Sequence, residues 1–465
     1  MAGYDLVIIG AGPAGYVGAI RSAQLGAKVC LVEKDKLGGV CLNRGCIPTK
    51  ALVQSAKVLH YARRAEEFGV KISAEPELDL GKALDRTHNR VIKTLRRGVE
   101  SLLKSYKVEV KFGTARFVAR DKIMLKGKDG EEEITAGAFL IATGSSPAQI
   151  PIFPIDGKKI LTSDHLLEMS EVPKSILIIG AGAIGCEWAF ILSEFGAEVV
   201  VVEMLSQALP TEDEMVGNLV ARQMKKRKIR LIVGEKISRV EDSSEGIRAY
   251  IESGAEIRAE KILVSIGRKP NTDELGLEEI GVEMDERGFI KVNSKMETSV
   301  SGVYSAGDVI GGILLAHIAS VEGKVAVSNA LGKKEEMDYK VVPSVVFTDP
   351  EVASVGLRER EAKEQGLDYS CASFPVRALG KAQAMGEIDG EIKLVFEKRS
   401  GKLLGAHIVS PDASSLIHEL ALALKMGATI KDIASTIHAH PTLSEGIMEC
   451  AEAGLGEAIH IFKGK

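Results

Sequence analysis

The sequence predicts an α/β fold: two similar strand-helix-strand domains, one inserted in the other, followed by a mixed α+β domain. Three observations carry this. The chain has 465 residues, room for roughly three domains at about 150 residues each. The stretch YDLVIIGAGPAGYVGAIRSAQLGAKVCLVE at 4–33 returns as KSILIIGAGAIGCEWAFILSEFGAEVVVVE at 174–203. Each copy is followed, after more than fifty residues, by an apolar run that ends in glycine, FLIATGSSP at 139–147 and ILVSIGRKPN at 262–271.

Each copy reads as a short β-branched run, then GxGxxG, then a helix-period stretch, then a second β-rich run closed by glutamate. This is the Rossmann-like dinucleotide-binding pattern. Gly10 and Gly180 permit the tight turn, Gly12 and Gly182 let the backbone approach a pyrophosphate, and Gly15 and Gly185 allow close helix packing. Glu33 and Glu203 stand where a carboxylate accepts hydrogen bonds from a ribose diol. At the second site, Glu203 would repel a ribose 2′-phosphate, and Met204, Leu205 and Ser206 offer no arginine to receive one, so NAD is favoured over NADP.

A third strand-then-glycine segment, GVYSAGDVIGG at 302–312, adds Asp308 as a candidate partner for a polyol chain. These landmarks divide the chain into 1–145 (first dinucleotide domain), 146–269 (the inserted second), 270–340 (continuation of the first) and 341–465 (a third domain without a fingerprint). The basic runs KKRK at 225–228 and the helix-permissive 81–107 read as solvated helix faces.

Composition excludes several classes. Apolar residues make up 45% and charged residues 27%, with a net charge of −4, so nothing points to nucleic acid or an anionic membrane. No apolar run approaches the roughly 20 residues a bilayer-spanning helix needs. MAGYDLVIIGAG runs directly into strand-like sequence, which suggests a soluble, cytoplasmic protein without a signal segment.

Six cysteines are too sparse for a disulfide scaffold, and only Cys41 and Cys46, in GGVCLNRGCIPTK, lie close in sequence. A staple over so short a loop would stabilise little. A zinc site needs a second Cys or His pair, and none stands at ligand spacing, so no metal is expected. A redox dithiol is the strongest reading, because the pair follows closely on a dinucleotide site that can exchange two electrons. Nicotinamide carries hydride whereas thiols exchange as thiolates, so a mediator between them is required. That mediator is a flavin, which places FAD at the first fingerprint and NAD at the second. Near the C-terminus, HAHPTLSE at 438–445 offers an imidazole and a carboxylate to orient it; His438 and His440 compete for the role of base.

GGVCLNRGCIPTK, both fingerprints, ATGSSP, SAGD and HAHPTLSE together resemble the flavin disulfide reductases over nearly the whole chain. The resemblance implies that Cys46 contacts the flavin and Cys41 exchanges with substrate, with Lys50 near the flavin ring and Glu187 as its carboxylate partner. It implies His440 as the base and Glu445 as its orienting partner. Glu33, Asp308 and Ala316 match FAD contacts, with Ala115, Thr143, Gly144 and Ser145 as further ones. Gly180 to Glu187, Glu203 and Gly267 match the NAD site, with Ile237 a weaker candidate. In this family the HAHPTLSE motif reaches the cysteines of the other subunit, so a homodimer is implied, with 341–465 as its dimerisation domain.

Family members acting on glutathione or trypanothione use NADP and favour basic residues near the position of Glu203. Mercuric reductases and large thioredoxin reductases carry a further C-terminal redox pair, whereas this chain ends Phe462, Lys463, Gly464, Lys465. The implied reaction is oxidation of protein-bound dihydrolipoamide with reduction of NAD. The first fingerprint begins at once, so another protein, of a 2-oxo acid dehydrogenase or glycine cleavage complex, is expected to present the lipoyl group. A non-catalytic flavoprotein is the rival from another class; an inactive scaffold has no physical need for both the cysteine pair and His440 with Glu445.

Overall fold

The strands that flank each glycine loop are buried over all but their first one or two residues and pair in parallel, as continuous β-branched runs do when helices cover both faces. The computed structural model describes residues 3–243 and 246–461; Phe462 to Lys465, on which the expectation about a further C-terminal redox pair rests, lie outside them. The chain forms two compact units: Met1–Pro154 with Thr162–Glu171 and Ile266–Asp338, and Ile155–Leu161 with Val172–Ser265 and Tyr339–Lys465.

In the first unit, Tyr4–Ile9 is central. Val29–Glu33 pairs with it in parallel on one side and the second half of Gly130–Ile141 on the other. Glu109–Phe112 extends the sheet beyond Val29–Glu33, and Val303–Ser305 closes it beside Gly130–Ile141. The first half of Gly130–Ile141 turns antiparallel, pairing with Lys122–Gly127, which pairs in turn with Thr114–Ala119. Helix Pro13–Gln24 starts on proline, whose fixed φ suits the first helical position. It packs against helix Ala316–Ala330 so closely that a Cβ on Gly323 would lie 2.3 Å from the Ala14 carbonyl. The basic stretch expected to be helical is so, as Leu80–Asp85 and Lys93–Ser105 joined by a π-helical turn over Arg86–Ile92.

The second unit holds the fingerprint copy. Ser175–Ile179 is central, flanked in parallel by Glu198–Glu203 and Lys261–Val264; Arg230–Val233 and Ile160–Leu161 form the edges. A three-stranded antiparallel sheet runs Ile237–Ser243, Gly246–Ile251, Glu256–Ala259. A separate five-stranded antiparallel sheet is formed by residues 344–410 in the order Ser344–Val346, Glu351–Gly356, Leu403–Ser410, Glu391–Glu397, Tyr369–Pro375. Helices Ala413–Met426 and Glu445–Leu455 cover it through a core that includes Phe374, Ile392, Ile408, Ile417, Leu420 and Ile447. Among the described residues, no helix is long and apolar enough to cross a membrane.

Candidate active site

The two glycine loops have nearly the same geometry. Gly10 and Gly180 adopt φ values of 101° and 98°, a left-handed conformation that a side chain resists. A Cβ on Gly15 would stand 1.8 Å from the Gly10 carbonyl oxygen, and one on Gly185 1.9 Å from that of Gly180. The first and third glycines are therefore required by the protein's own packing. The middle ones are not: a Cβ on Gly12 would meet only the Gly39 Cα at 3.9 Å, and one on Gly182 would meet nothing within 4 Å. That open space at the start of helices Pro13–Gln24 and Ala183–Glu194 fits a pyrophosphate, which gains from the amides and dipole of a helix N-terminus.

The glutamates serve the same frame. Glu33 Oε2 accepts from the Ala11 amide at 2.7 Å and Oε1 from the Asp35 amide at 2.8 Å. Glu203 does the same with Ala181 at 2.7 Å and Leu205 at 2.9 Å. Each carboxylate thus clamps its glycine loop and keeps lone pairs for a ribose diol.

The cysteine segment is anchored on the first loop. The Gly38 amide donates to the Ala11 carbonyl at 2.8 Å, and a Cβ on Gly39 would fall 2.6 Å from the Gly12 Cα. Asn43 Nδ2 ties the segment to the carbonyls of Leu37 (3.0 Å) and Gly39 (2.9 Å), and Arg44 pairs with Asp35. Cys41 lies on the short helical turn Gly39–Asn43, and Cys46 is the first residue of helix Cys46–Arg63. The two are not joined as a disulfide and are in hydrogen-bonding contact. A position at a helix N-terminus favours thiolate at Cys46. The hydrogen bond from Cys46, then burial and the Cys46 charge, push the Cys41 thiol far above the usual thiol range, against Lys50, which pulls it down. A thiol raised in this way is a poor proton donor, and a base close by would assist thiol chemistry.

Lys50 lies one turn along helix Cys46–Arg63. Asp308 belongs to the same electrostatic neighbourhood as Cys41. Its carboxylate accepts from the Ser145 hydroxyl and stands 3.5 Å from Arg268 Nε. Thr143 Oγ1 donates to the Asn271 carbonyl at 2.8 Å, and Gly144 turns with φ of 69°. The structure thus brings ATGSSP, Asp308 and the segment after Gly267 together. Ala115 is buried with Ile9 and Val32 in the core beneath the loop, and Ala316 is the first residue of helix Ala316–Ala330. In the second unit, Glu187 is buried and accepts from the Phe347 amide at 3.0 Å. Ile237 is a buried strand residue of the same unit, whereas Gly267, at φ of 121° with open space where a Cβ would sit, belongs to the first unit.

Three contributors escape the motif reading. Arg268 donates to Ser145 through Nε (2.6 Å to Oγ) and Nη2 (2.7 Å to the carbonyl). Its place directly after Gly267 is a signal the sequence holds. Buried Glu322 accepts from the Gly307 amide at 2.8 Å and so fixes the turn before Asp308. Tyr16 is pushed up by burial and by the nearby Cys41.

The histidines separate cleanly. His438 has both nitrogens engaged, by the Thr436 carbonyl at 2.8 Å and Glu419 at 2.9 Å. Among the described residues, His440 has a partner at Nδ1 alone, Glu445 Oε1 at 2.7 Å, and its side chain is 77% exposed. Glu445 Oε2 accepts from the Thr442 amide at 2.7 Å. Burial pushes the Glu445 carboxyl up, but the Thr442 amide and the His440 ring together hold it below the usual range. An anionic Glu445 fixes the ring with its other nitrogen facing outward, the arrangement a general base requires.

Residues 4–323 match the pyridine nucleotide-disulphide oxidoreductase family, and residues 342–451 match the dimerisation domain of the same family. The chain belongs to this family. Among proteins similar to this member, the dihydrolipoyl dehydrogenase of Thermus scotoductus is 47% identical, spanning 98% of this chain and 99% of the relative. That of Geobacillus stearothermophilus is 43% identical over 98% and 97%. The crystal structure of LpdA from Mycobacterium tuberculosis is similar at a TM-score of 0.89 and 28% identity, covering 96% of this chain and 98% of that one. The HOCl-induced flavoprotein disulfide reductase RclA of Escherichia coli follows at 0.86 and 28%, over 97% and 99%. The first family region contains the Cys41–Cys46 pair and the second the His440–Glu445 pair.

Proposed function

We propose that the protein is a dihydrolipoyl dehydrogenase, oxidising protein-bound dihydrolipoamide to lipoamide and reducing NAD. The observation that carries this reading is the pair of contacting thiols of Cys41 and Cys46 anchored on the first glycine loop. Curated relatives above 40% identity carry the same name.

His440, held at Nδ1 by Glu445, accepts a proton from a substrate thiol at Nε2. The substrate thiolate attacks Cys41 Sγ of the oxidised pair; the Cys41–Cys46 bond breaks, a mixed disulfide forms at Cys41, and Cys46 leaves as thiolate. The second substrate thiolate attacks the substrate sulfur of that mixed disulfide. Lipoamide departs with its own disulfide closed, and Cys41 is released. The balance is two electrons to the cysteine pair and two protons: one rests on His440, the other passes from the second substrate thiol to the released Cys41, and Cys46 stays thiolate. Cys46, at the helix N-terminus, is the leaving group because the dipole favours its charge. When bound, FAD supplies an acceptor for that electron pair, and NAD at the second fingerprint carries it away as hydride.

Gly12, Glu33, Asp308 and Ala316 would hold FAD, with Lys50 beside its ring and Glu187 as the lysine's proposed partner. Gly182, Glu203 and Gly267 would hold NAD. In a homodimer the imidazole dyad of one subunit would serve the thiol pair of the other. The partner would be a lipoyl-bearing protein of a 2-oxo acid dehydrogenase or glycine cleavage complex, in the cytoplasm.

Steady-state NADH formation from NAD tests the reading. Turnover with dihydrolipoamide and none with reduced glutathione at the same thiol concentration is expected; the opposite preference would overturn the proposal.

A further inference from the structure

Helix Glu445–Leu455 carries Glu445, Glu449 and Glu452 at spacings of four and three, which puts all three carboxylates on one face. Glu445 orients His440. One turn further, Glu449 makes the same kind of contact with a second imidazole: His460 Nδ1 hydrogen-bonds to Glu449 Oε1, and the His460 amide donates to Oε2 at 3.5 Å. Glu449 is only 4% exposed, so water does little to stabilise its charge and the imidazole must. His460 itself is solvent-facing, with 67% of its side chain exposed. The Glu457 amide donates to the Glu452 carbonyl at 2.8 Å, folding the terminal segment back along the dyad helix.

We infer that the Glu449–His460 pair is a positioning element for the catalytic dyad: His460 cancels the Glu449 charge, so that Glu445 acts on His440 without the added field of a buried carboxylate one turn along its helix. The inference rests on His440 being the base. Carboxylates one helical turn apart repel each other, and an uncancelled Glu449 would make the surroundings of Glu445 more negative and the His440 imidazolium harder to deprotonate. Glu449, then Glu445 and Glu452, draw the His460 ring up from its ordinary range against burial, which favours its cationic form. The other groups facing this cluster are few. Glu457 and Glu449 act on Glu452, and His438 with His440 acts on Glu445. The strands beneath the helix contribute Glu391 and Cys371, which act on the buried neutral thiol of Cys450.

The test is the pH profile of kcat/KM for dihydrolipoamide oxidation by the holoenzyme. In His460→Gln the acid limb should move to higher pH by about half a unit, the scale of one unit charge at the edge of a protein acting over roughly 8 Å. Below the limb this reads as an approximately threefold loss. His460→Lys, which keeps the cation, and the double variant His460→Gln with Glu449→Gln, which removes both charges, should return the limb to its wild-type position. Flavin content and melting temperature are read alongside, and the lysine variant carries the test should the glutamine variant fail to fold. A limb that stays put in His460→Gln, or that the double variant does not restore, overturns the inference. If instead His440→Gln keeps full turnover and the wild-type limb, the assignment of the base has failed, a result separate from any behaviour of His460.

Discussion

The two glycine loops are the same machine part used twice, and they differ in what the chain does next. In both, a glutamate clamps the loop alanine, and a later amide returns to that alanine's carbonyl: Gly38 to Ala11 at 2.8 Å and Leu209 to Ala181 at 2.8 Å. After Gly38 the first copy continues into Gly39, packed on Gly12, and then Cys41 and Cys46. After Leu209 the second copy continues into Glu212 and Asp213, two buried carboxylates. Asp213 caps helix Glu214–Lys226 through the Met215 amide and accepts from Lys393 Nζ at 2.9 Å; Glu212 accepts from Ser354 at 2.6 Å. The first frame is covered by the segment 38–46, and the second is tied down by a buried ion pair while Met204 and Leu205 stay exposed beside it. A covered frame suits a resident cofactor next to thiols. An open one suits a ligand that comes and goes.

The sharpest way to break this contrast is at the sulfur. Cys46→Ser should lower dihydrolipoamide turnover roughly a thousandfold or more while FAD stays bound, as read by flavin absorbance after gel filtration. The corresponding break in the second tail is Lys393→Ala, which strands Asp213 in the interior. A loss of about 3 kcal/mol or more is expected, measured as a lower denaturation midpoint. The glycines separate the frames further. Gly39→Ala should cost about 2 kcal/mol by forcing a Cβ onto Gly12 and should weaken FAD retention. Gly182→Ala has no protein neighbour to strike, so it should leave the melting temperature within about a degree or two and raise the KM for NAD around tenfold.

The smallest effect is one of pH. Burial holds the His407 ring below its ordinary range, against the pull of Asp213 and Glu212, with Lys393 adding to the depression. The unfolded chain therefore takes up that proton first, and stability is lost as pH falls below about 6.5 towards the folded value. Asp213 is depressed from its usual range: burial raises it, but Lys393 and His407 outweigh this. Its contribution persists above about 3.9 and disappears as pH falls through the folded value. His407→Gln should flatten the decline in melting temperature between about pH 7 and 5 and leave the steeper acid loss in place.

The paired frames were legible because the requirements are local: glycine where φ is positive or the backbone crowds, glutamate where the loop needs a clamp. The thiol pair and HAHPTLSE could be picked out as candidates for the same reason, since each places its proposed groups within a few residues. The networks that set these motifs in place were not. Lys393 meets Asp213 across 180 positions of sequence, and Ser145 meets Asp308 across 163. No periodicity or spacing announces such partners; they exist only once sheets and helices have been packed. The motif alone left His438 and His440 level, and the family resemblance singled out His440; that Glu419, a helix residue, occupies the rival ring could not be read from the motif. The π-helical turn at Arg86–Ile92 has no counterpart in the helix-period reading of 81–107.

The central claim is that electrons leave dihydrolipoamide through Cys41 and Cys46. The most direct measurement is to oxidise the holoenzyme and mix it anaerobically with dihydrolipoamide in the absence of NAD. The thiols are then trapped by alkylation and located by mass spectrometry. The account predicts new labels on Cys41 and Cys46 together, and their loss when NAD is added before trapping. Reduction of the flavin with Cys41 and Cys46 still joined and unlabelled would contradict it.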